Sequence, residues 1–191
     1  MMTQFCLAIV ICVLVHVIQC EDPKTSLEMV TKSEWGGRTA FEIDYVIIPV
    51  KNIVVHHTVT PNCHNKLECS QTLQNIQNFH MEDLEFHDIG YNFLIGGDGR
   101  VYEGTGWHKV GAHTIGYNSK SLGIAFIGNF SDKLPNSKQM KAFKNFLAYG
   151  VKTGEIDKDY KLFGARQVSA TQSPGLRLYR AIQKMQHFVN L

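Results

Sequence analysis

The sequence predicts an α/β domain, a central β-sheet flanked by about three helices. Three observations lead there. Short β-branched or aromatic runs recur at residues 52–57, 91–95 and 122–127. Longer stretches at 70–84, 137–153 and 176–189 carry apolar residues at helical spacing. The two kinds alternate along the chain, and alternating strands and helices build a sheet covered by helices.

Each element has its own local signal. The three apolar runs have the length and composition of buried strands. Gly96-Gly97-Asp98-Gly99 is a turn, and residues 100–103 continue beyond it as the second arm of a hairpin. In 70–84, Leu73, Ile76, Phe79 and Leu84 share one helical face, with Ser70 as the expected cap. In 137–153 the face is Met140, Phe143, Phe146, Leu147 and Val151, and Gly154 stands where a helix stops. Pro174-Gly175 opens the third helix, 176–189. The strand order is not readable from these signals.

The N-terminus sets the compartment. Residues 5–18 are apolar except for His16, and no charged side chain precedes Glu21. So short an apolar run reads as a signal peptide, residues 1–20, with a retained anchor as the alternative. Residues 21–31 read as a mobile polar arm and 32–191 as one domain. The chain is therefore expected to be secreted and extracellular, with no membrane partner. A net charge of +2 without a Lys/Arg stripe argues against nucleic acid. Three of the five cysteines lie in the leader, leaving Cys63 and Cys69. An even pair in an oxidising compartment is most simply a disulfide closing a small loop. Asn129-Phe130-Ser131 is an N-glycosylation sequon.

The chemistry-bearing residues are mostly histidines. His56-His57 ends a strand, so the two rings face opposite sides of the sheet and only one can enter a given cleft. In isolation, one packed and one solvated histidine is the simpler account. His64, His80, His87, His108, His113 and His187 show no local two-ligand spacing for zinc, which needs three protein ligands. Residues 104–118 are dense in Gly, Trp, His, Tyr and Asn. Such a loop suits sugar or peptide recognition, or is a turn with Trp107 packed on the sheet.

A longer set of motifs goes further. Ser33-Glu34-Trp35-Gly36, Val54-Val55-His56-His57-Thr58 and Asp88-Ile89-Gly90-Tyr91-Asn92-Phe93 occur in order. Gly111-Ala112-His113-Thr114, Leu122-Gly123-Ile124-Ala125-Phe126-Ile127-Gly128 and Ser173-Pro174-Gly175 follow. Together they resemble the peptidoglycan recognition protein family, whose domain is similar to bacteriophage-type zinc amidases. The resemblance runs from about Ser33 to Phe188, and the Cys63–Cys69 pair matches a family disulfide. It implies a mixed sheet in an amidase-like peptidoglycan-recognition fold, in a secreted innate-immune pattern-recognition protein.

In the family's amidases a His on the strand, a later His and a Cys eight residues beyond hold zinc. His56 matches the first. The other two positions are Ala165 and Ser173 in this sequence. Ala165 has no lone pair and Ser173 is a neutral hydroxyl where zinc prefers thiolate. Without the metal nothing activates water or polarises the scissile amide. Tyr91 and Thr171 match further active-site positions but cannot replace it. The expectation is a non-catalytic binder without cofactor. An amidase with an improvised metal site, drawing on His57 or His113, is the enzyme alternative. A signalling partner with no ligand of its own is a third.

The resemblance implies a groove for the stem peptide and muramyl sugar of bacterial peptidoglycan fragments. Its implied lining is Thr58, His80, Phe86, Tyr91, His113 and Asn118, flanked by Trp107. Partners implied beyond the ligand are a second recognition protein and a protease cascade. In the family, the pair before Xaa-Asp-Ile-Gly-Tyr helps choose between lysine and diaminopimelate stem peptides. Gly-Trp goes with diaminopimelate, and Asn-Phe or a similar pair with lysine. Here the pair is Glu85-Phe86. A carboxylate there attracts a lysine ammonium and repels a second carboxylate. Many diaminopimelate readers also carry an arginine where this chain has Ser119, with Lys120 one residue on. Lysine-type peptidoglycan is the expected ligand.

Overall fold

The structure, a computed structural model, describes residues 27–190. The expected signal peptide lies outside the described residues, as does most of the expected arm. The end of that arm is not loose: Met29–Val30 forms β1, parallel to a later strand.

The remaining elements are β2 (Val50–His57), α1 (Lys66–Asn78), β3 (Phe93–Ile95), β4 (Val101–Glu103), β5 (Leu122–Phe126), α2 (Ser137–Thr153), β6 (Ile156–Gly164) and α3 (Leu176–Ile182). The six strands form one mixed sheet in the order β1-β4-β3-β5-β2-β6. The β3–β4 hairpin is its antiparallel pair; the others are parallel. The α/β class with three helices is thus as expected.

Three boundaries differ. The first helix starts earlier than the apolar pattern suggested, because Asn65 rather than Ser70 caps it. Asn65 Oδ1 accepts from Glu68 N at 3.0 Å. It then widens into a π-helical turn, Phe79–Asp83, where Leu84 N reaches back to Phe79 O. The third helix stops at Ile182 because the chain is needed elsewhere. Leu162 N donates to His187 O and Val189 N to Leu162 O, which covers part of the β6 edge. The second helix matches its signals: Asn136 and Gln139 form a capping box, and Gly154 closes it at φ 79°.

Strand alternation splits the core in two. Ile53, Val55, Phe93, Ile95, Val101, Leu122, Ile124 and Phe126 face α2 and α3, meeting Phe143, Phe146, Leu178 and Ile182. Leu94, Tyr102 and Ala125 face the other way, onto Leu73 and Ile76 of α1, Trp35 and the Cys63–Cys69 disulfide. This second cluster does not reach Val54 and His56 of β2. There the face is left to loops, and a cleft opens.

Asn92, fully buried, holds those loops to the sheet. The two hydrogens of its Nδ2 are shared among three acceptors, Thr105 Oγ1 at 2.9 Å, Gly106 O at 3.0 Å and Lys109 O at 2.8 Å. Its Oδ1 accepts from Gly123 N at 2.9 Å. Asn92→Ala leaves several buried polar groups unpaired, each costing on the order of 1–3 kcal/mol. The expected outcome is a loss of about 3 kcal/mol or more in urea unfolding, with loop 104–118 losing hydrogen-exchange protection first.

Candidate ligand groove and the positions of the amidase pattern

The cleft is floored by a run of rings. His80 lies 5.5 Å from Phe86 and 5.6 Å from Tyr91, between centroids. Tyr91 lies 5.4 Å from His56, and His56 lies 5.4 Å from His113. Five of the sequence-predicted residues therefore form one continuous surface. Around it are two hollows. One, of about 390 Å³, is lined by Thr58, His80 and Tyr91 with Thr72, Ile76 and Phe79. The other, of about 340 Å³, is lined by Glu85, Phe86 and Asn118 with Glu42, Asp44 and Lys109.

Local structure explains each placement. The π-helical turn carries His80, whose Nδ1 accepts from Gly90 N at 2.9 Å. That bond puts the ring proton on Nε2 and makes His80 a donor at its free end. His113 rests flat against β5 because residue 123 is glycine. A Cβ there would stand 2.3 Å from the ring. Thr58 Oγ1 accepts from Gly128 N at 3.0 Å and contacts Thr60 Oγ1 at 2.7 Å. Glu85 is exposed on a left-handed backbone, φ 57°. Glycine and asparagine are at ease in that conformation and glutamate is not.

Two predicted lining residues behave differently. Trp107 does not reach the cleft. Its indole stacks on Phe146 at 4.6 Å and 10° and meets Phe93 at 4.5 Å, on the α2 face of the sheet. A glycine-rich loop with an aromatic residue looks alike whether that residue faces ligand or core. Asn118 borders the cleft, but its Oδ1 is taken by the backbone N–H groups of His113 at 3.0 Å and Thr114 at 2.6 Å. It shapes the loop. Residue reasoning missed Thr114, whose hydroxyl sits 3.1 Å from His56 Nε2 and 3.0 Å from His113 Nδ1. It also missed Asp88, which binds the Lys32 ammonium and receives Gln77 Nε2 at 2.8 Å, tying the N-terminal segment to the cleft wall.

The three positions of the amidase pattern meet at the end of β2. Ala165 is fully buried one step beyond the Val55–Gly164 pair, and so alongside His56. Ser173 Oγ accepts from His57 N at 3.1 Å. Thr171 Oγ1 accepts from Ser173 N at 3.1 Å. His57 faces away from His56, as strand alternation requires, and its Nδ1 accepts from Phe130 N at 3.2 Å. Among the described residues no three His, Cys, Asp or Glu side chains are grouped to hold a metal ion.

Comparison with known proteins places this geometry. The sequence profile of the N-acetylmuramoyl-L-alanine amidase family matches residues 48–176. Peptidoglycan-recognition protein 2 of Holotrichia diomphalia is 55% identical over 160 residues, 84% of this chain and 86% of that protein. The structure of Drosophila peptidoglycan recognition protein SA superposes with a TM-score of 0.85 at 50% identity, covering 86% of this chain and 95% of that one. A complex of recognition proteins LCa and LCx bound to tracheal cytotoxin gives 0.84 at 44% identity, covering 85% of this chain and 99% of the matched one. The domain is thus of the amidase class. Within that class, the chain belongs to the peptidoglycan-recognition protein family.

Burial keeps the groove imidazoles neutral. It pushes His113 down to about 3 and His80 to about 4. His57 falls to about 4 through burial and the nearby Arg166 cation, and His56 lies well below the usual range through burial, His113 and His57. Burial raises the Tyr91 hydroxyl to about 12. Because these histidine values are depressed, the unfolded chain takes up protons first as pH falls. Stability from these groups is therefore full above about pH 7 and is lost as pH falls below about 6.5, towards about 4 for His80 and about 3 for His113. Urea unfolding at stepped pH should show this slope, and His80→Gln should make it shallower. A flat profile across the window contradicts the burial assigned here.

Proposed function

We propose that the chain is a secreted recognition protein. It binds stem peptide and muramyl sugar of bacterial peptidoglycan in this groove and does not cleave them. The observation that carries the reading is the pairing of a complete ring floor with a donor-poor metal position. Phe86, His80, Tyr91, His56 and His113 offer apolar faces for sugar and peptide, and His80 Nε2–H offers a hydrogen bond. The amidase pattern demands zinc, and the residues here do not fit it. Ala165 supplies no donor and Ser173 Oγ is a hydroxyl already bonded to a backbone N–H, so of the three pattern positions His56 alone carries a metal-binding side chain. No hydrolytic step is therefore assigned. Similarity to named recognition proteins supports the same choice. The Cys63–Cys69 disulfide is consistent with secretion, and no described helix is long and apolar enough to cross a membrane. A second recognition protein is a fitting partner, since a related pair assembles around tracheal cytotoxin. A protease cascade downstream and a glycan on exposed Asn129 complete the reading.

The purified protein is expected to bind muramyl pentapeptide without releasing stem peptide and to carry no stoichiometric zinc. Ala165→His with Ser173→Cys restores the donor set, so that double variant should gain zinc where each single variant does not. About one zinc per wild-type chain, with chelator-sensitive cleavage, contradicts the reading.

The second hollow favours a lysine stem peptide. Glu42, Asp44 and Glu85 line it against one cation, Lys109. Lys120 is held with its ammonium 4.3 Å from the Tyr117 ring centre. An acidic wall attracts a free ammonium and repels an extra carboxylate, an effect that salt weakens. In paired titrations of two muramyl pentapeptides differing only at the third residue, the lysine form should bind tighter. Glu85→Gln should narrow the gap, and equal affinities in the wild type remove the preference.

A further inference from the structure

Thr114 lies on the loop behind the ring floor and is 3% exposed. Its hydroxyl touches two imidazoles at once, His56 Nε2 at 3.1 Å and His113 Nδ1 at 3.0 Å. Its backbone N–H is fixed by Asn118 Oδ1 at 2.6 Å, so the hydroxyl is held between the rings. The far nitrogen of the second ring, His113 Nε2, is sealed from solvent and has no hydrogen-bond partner among the described residues.

We propose that Thr114 is a positioning residue that forces His56 to present its Nδ1–H to the groove, making this point of the floor a binding site for a ligand oxygen. The argument is one of counting protons. A hydroxyl has one hydrogen to give and two lone pairs, so Thr114 can donate to at most one ring, and a ring that it does not donate to must donate to it. In one arrangement Thr114 donates to His56 Nε2 and receives from His113 Nδ1–H. Both rings then carry their proton on Nδ1. In the other, every bond reverses and both carry it on Nε2. The rings are both neutral at pH 7. With one proton on each ring a third arrangement, both rings donating to Oγ1, also makes the two contacts, but it strands the Thr114 O–H, which is buried and has no other acceptor among the described residues, and it is set aside on that ground.

The sealed nitrogen chooses between the first two. With the proton on His113 Nε2, a buried N–H is left without an acceptor. With the proton on Nδ1, only a lone pair goes unused. Orphaned buried N–H groups are the rarer and costlier defect. The relay therefore runs from His113 Nδ1–H to Thr114 Oγ1, and from Thr114 O–H to His56 Nε2. The proton of His56 is left on Nδ1, which no described residue accepts. Such a group takes a carbonyl or carboxylate oxygen and not a cation or an N–H. On the recognition reading above, on which this assignment rests for its ligand, that oxygen belongs to an amide of the muramyl peptide.

The test reads the tautomers directly, by long-range 1H–15N correlation of the histidine rings in the folded, disulfide-bonded, 15N-labelled protein at pH 7. His56 and His113 should both show a protonated Nδ1 and a bare Nε2. Thr114→Ser keeps the hydroxyl and should keep both signatures. Thr114→Val removes it, and His56 should lose its Nδ1–H signature. Affinity for muramyl pentapeptide should fall roughly tenfold in Thr114→Val and little in Thr114→Ser. A proton on Nε2 of either ring in the wild type overturns the proposal, as does an unchanged His56 in Thr114→Val. Should Thr114→Val fail to fold, the wild-type and Thr114→Ser spectra decide alone. Expected tautomers without any binding of muramyl pentapeptide keep the relay and overturn the recognition reading instead.

Discussion

The groove depends on one buried amide. Asn92 is the residue just before β3, and it spends its side chain on three loop acceptors and one strand donor. Its own backbone is used as fully: Asn92 N donates to Gly123 O, while Gly104 N and Gly106 N donate to Asn92 O. One residue thereby locks the 104–110 turn, the start of β3 and the start of β5 into a single body. His113 lies against Gly123 in that body, and Tyr91 is its immediate neighbour in sequence. The ring floor is rigid because the polar groups beneath it have no spare partners.

A division of labour follows from the sheet. The face under α2 and α3 is closed by large apolar side chains, including Trp107 stacked on Phe146. The opposite face is closed by α1 and the disulfide at one end only. What remains open is where β2, β5 and the loops converge, beside the carboxyl ends of neighbouring parallel strands, a usual place for ligands in α/β sheets. The larger apolar core lies on one face and the proposed groove on the other.

Legibility in the sequence followed burial. Strands β2, β3 and β5 lie inside the sheet with nearly all their side chains buried, so they read as plain apolar runs. β6 went unread because it is an edge strand. Asp157, Lys158, Asp159 and Lys161 interrupt its apolar residues, and only Ile156, Tyr160, Leu162 and Phe163 turn inward. β1 is two residues long and leaves no pattern at all. At the site, residues that lie in motifs were readable, and His56, His80, Phe86, Tyr91 and His113 come together as the motifs implied. Trp107 and Asn118 were carried over from the family resemblance as well, and a matching position does not say which face of a loop a side chain takes. Thr114 and Asp88 stand in those motifs, yet no role could be read for them. Their importance lies in partners far along the chain, and a hydroxyl or carboxylate in a loop carries no mark of them.

The left-handed backbone at Glu85 sets two demands against each other. A residue without a side chain would relax that turn and at the same moment erase the carboxylate from the acidic wall. Under the lysine preference proposed above, backbone comfort and the choice of ligand would hang on the same codon.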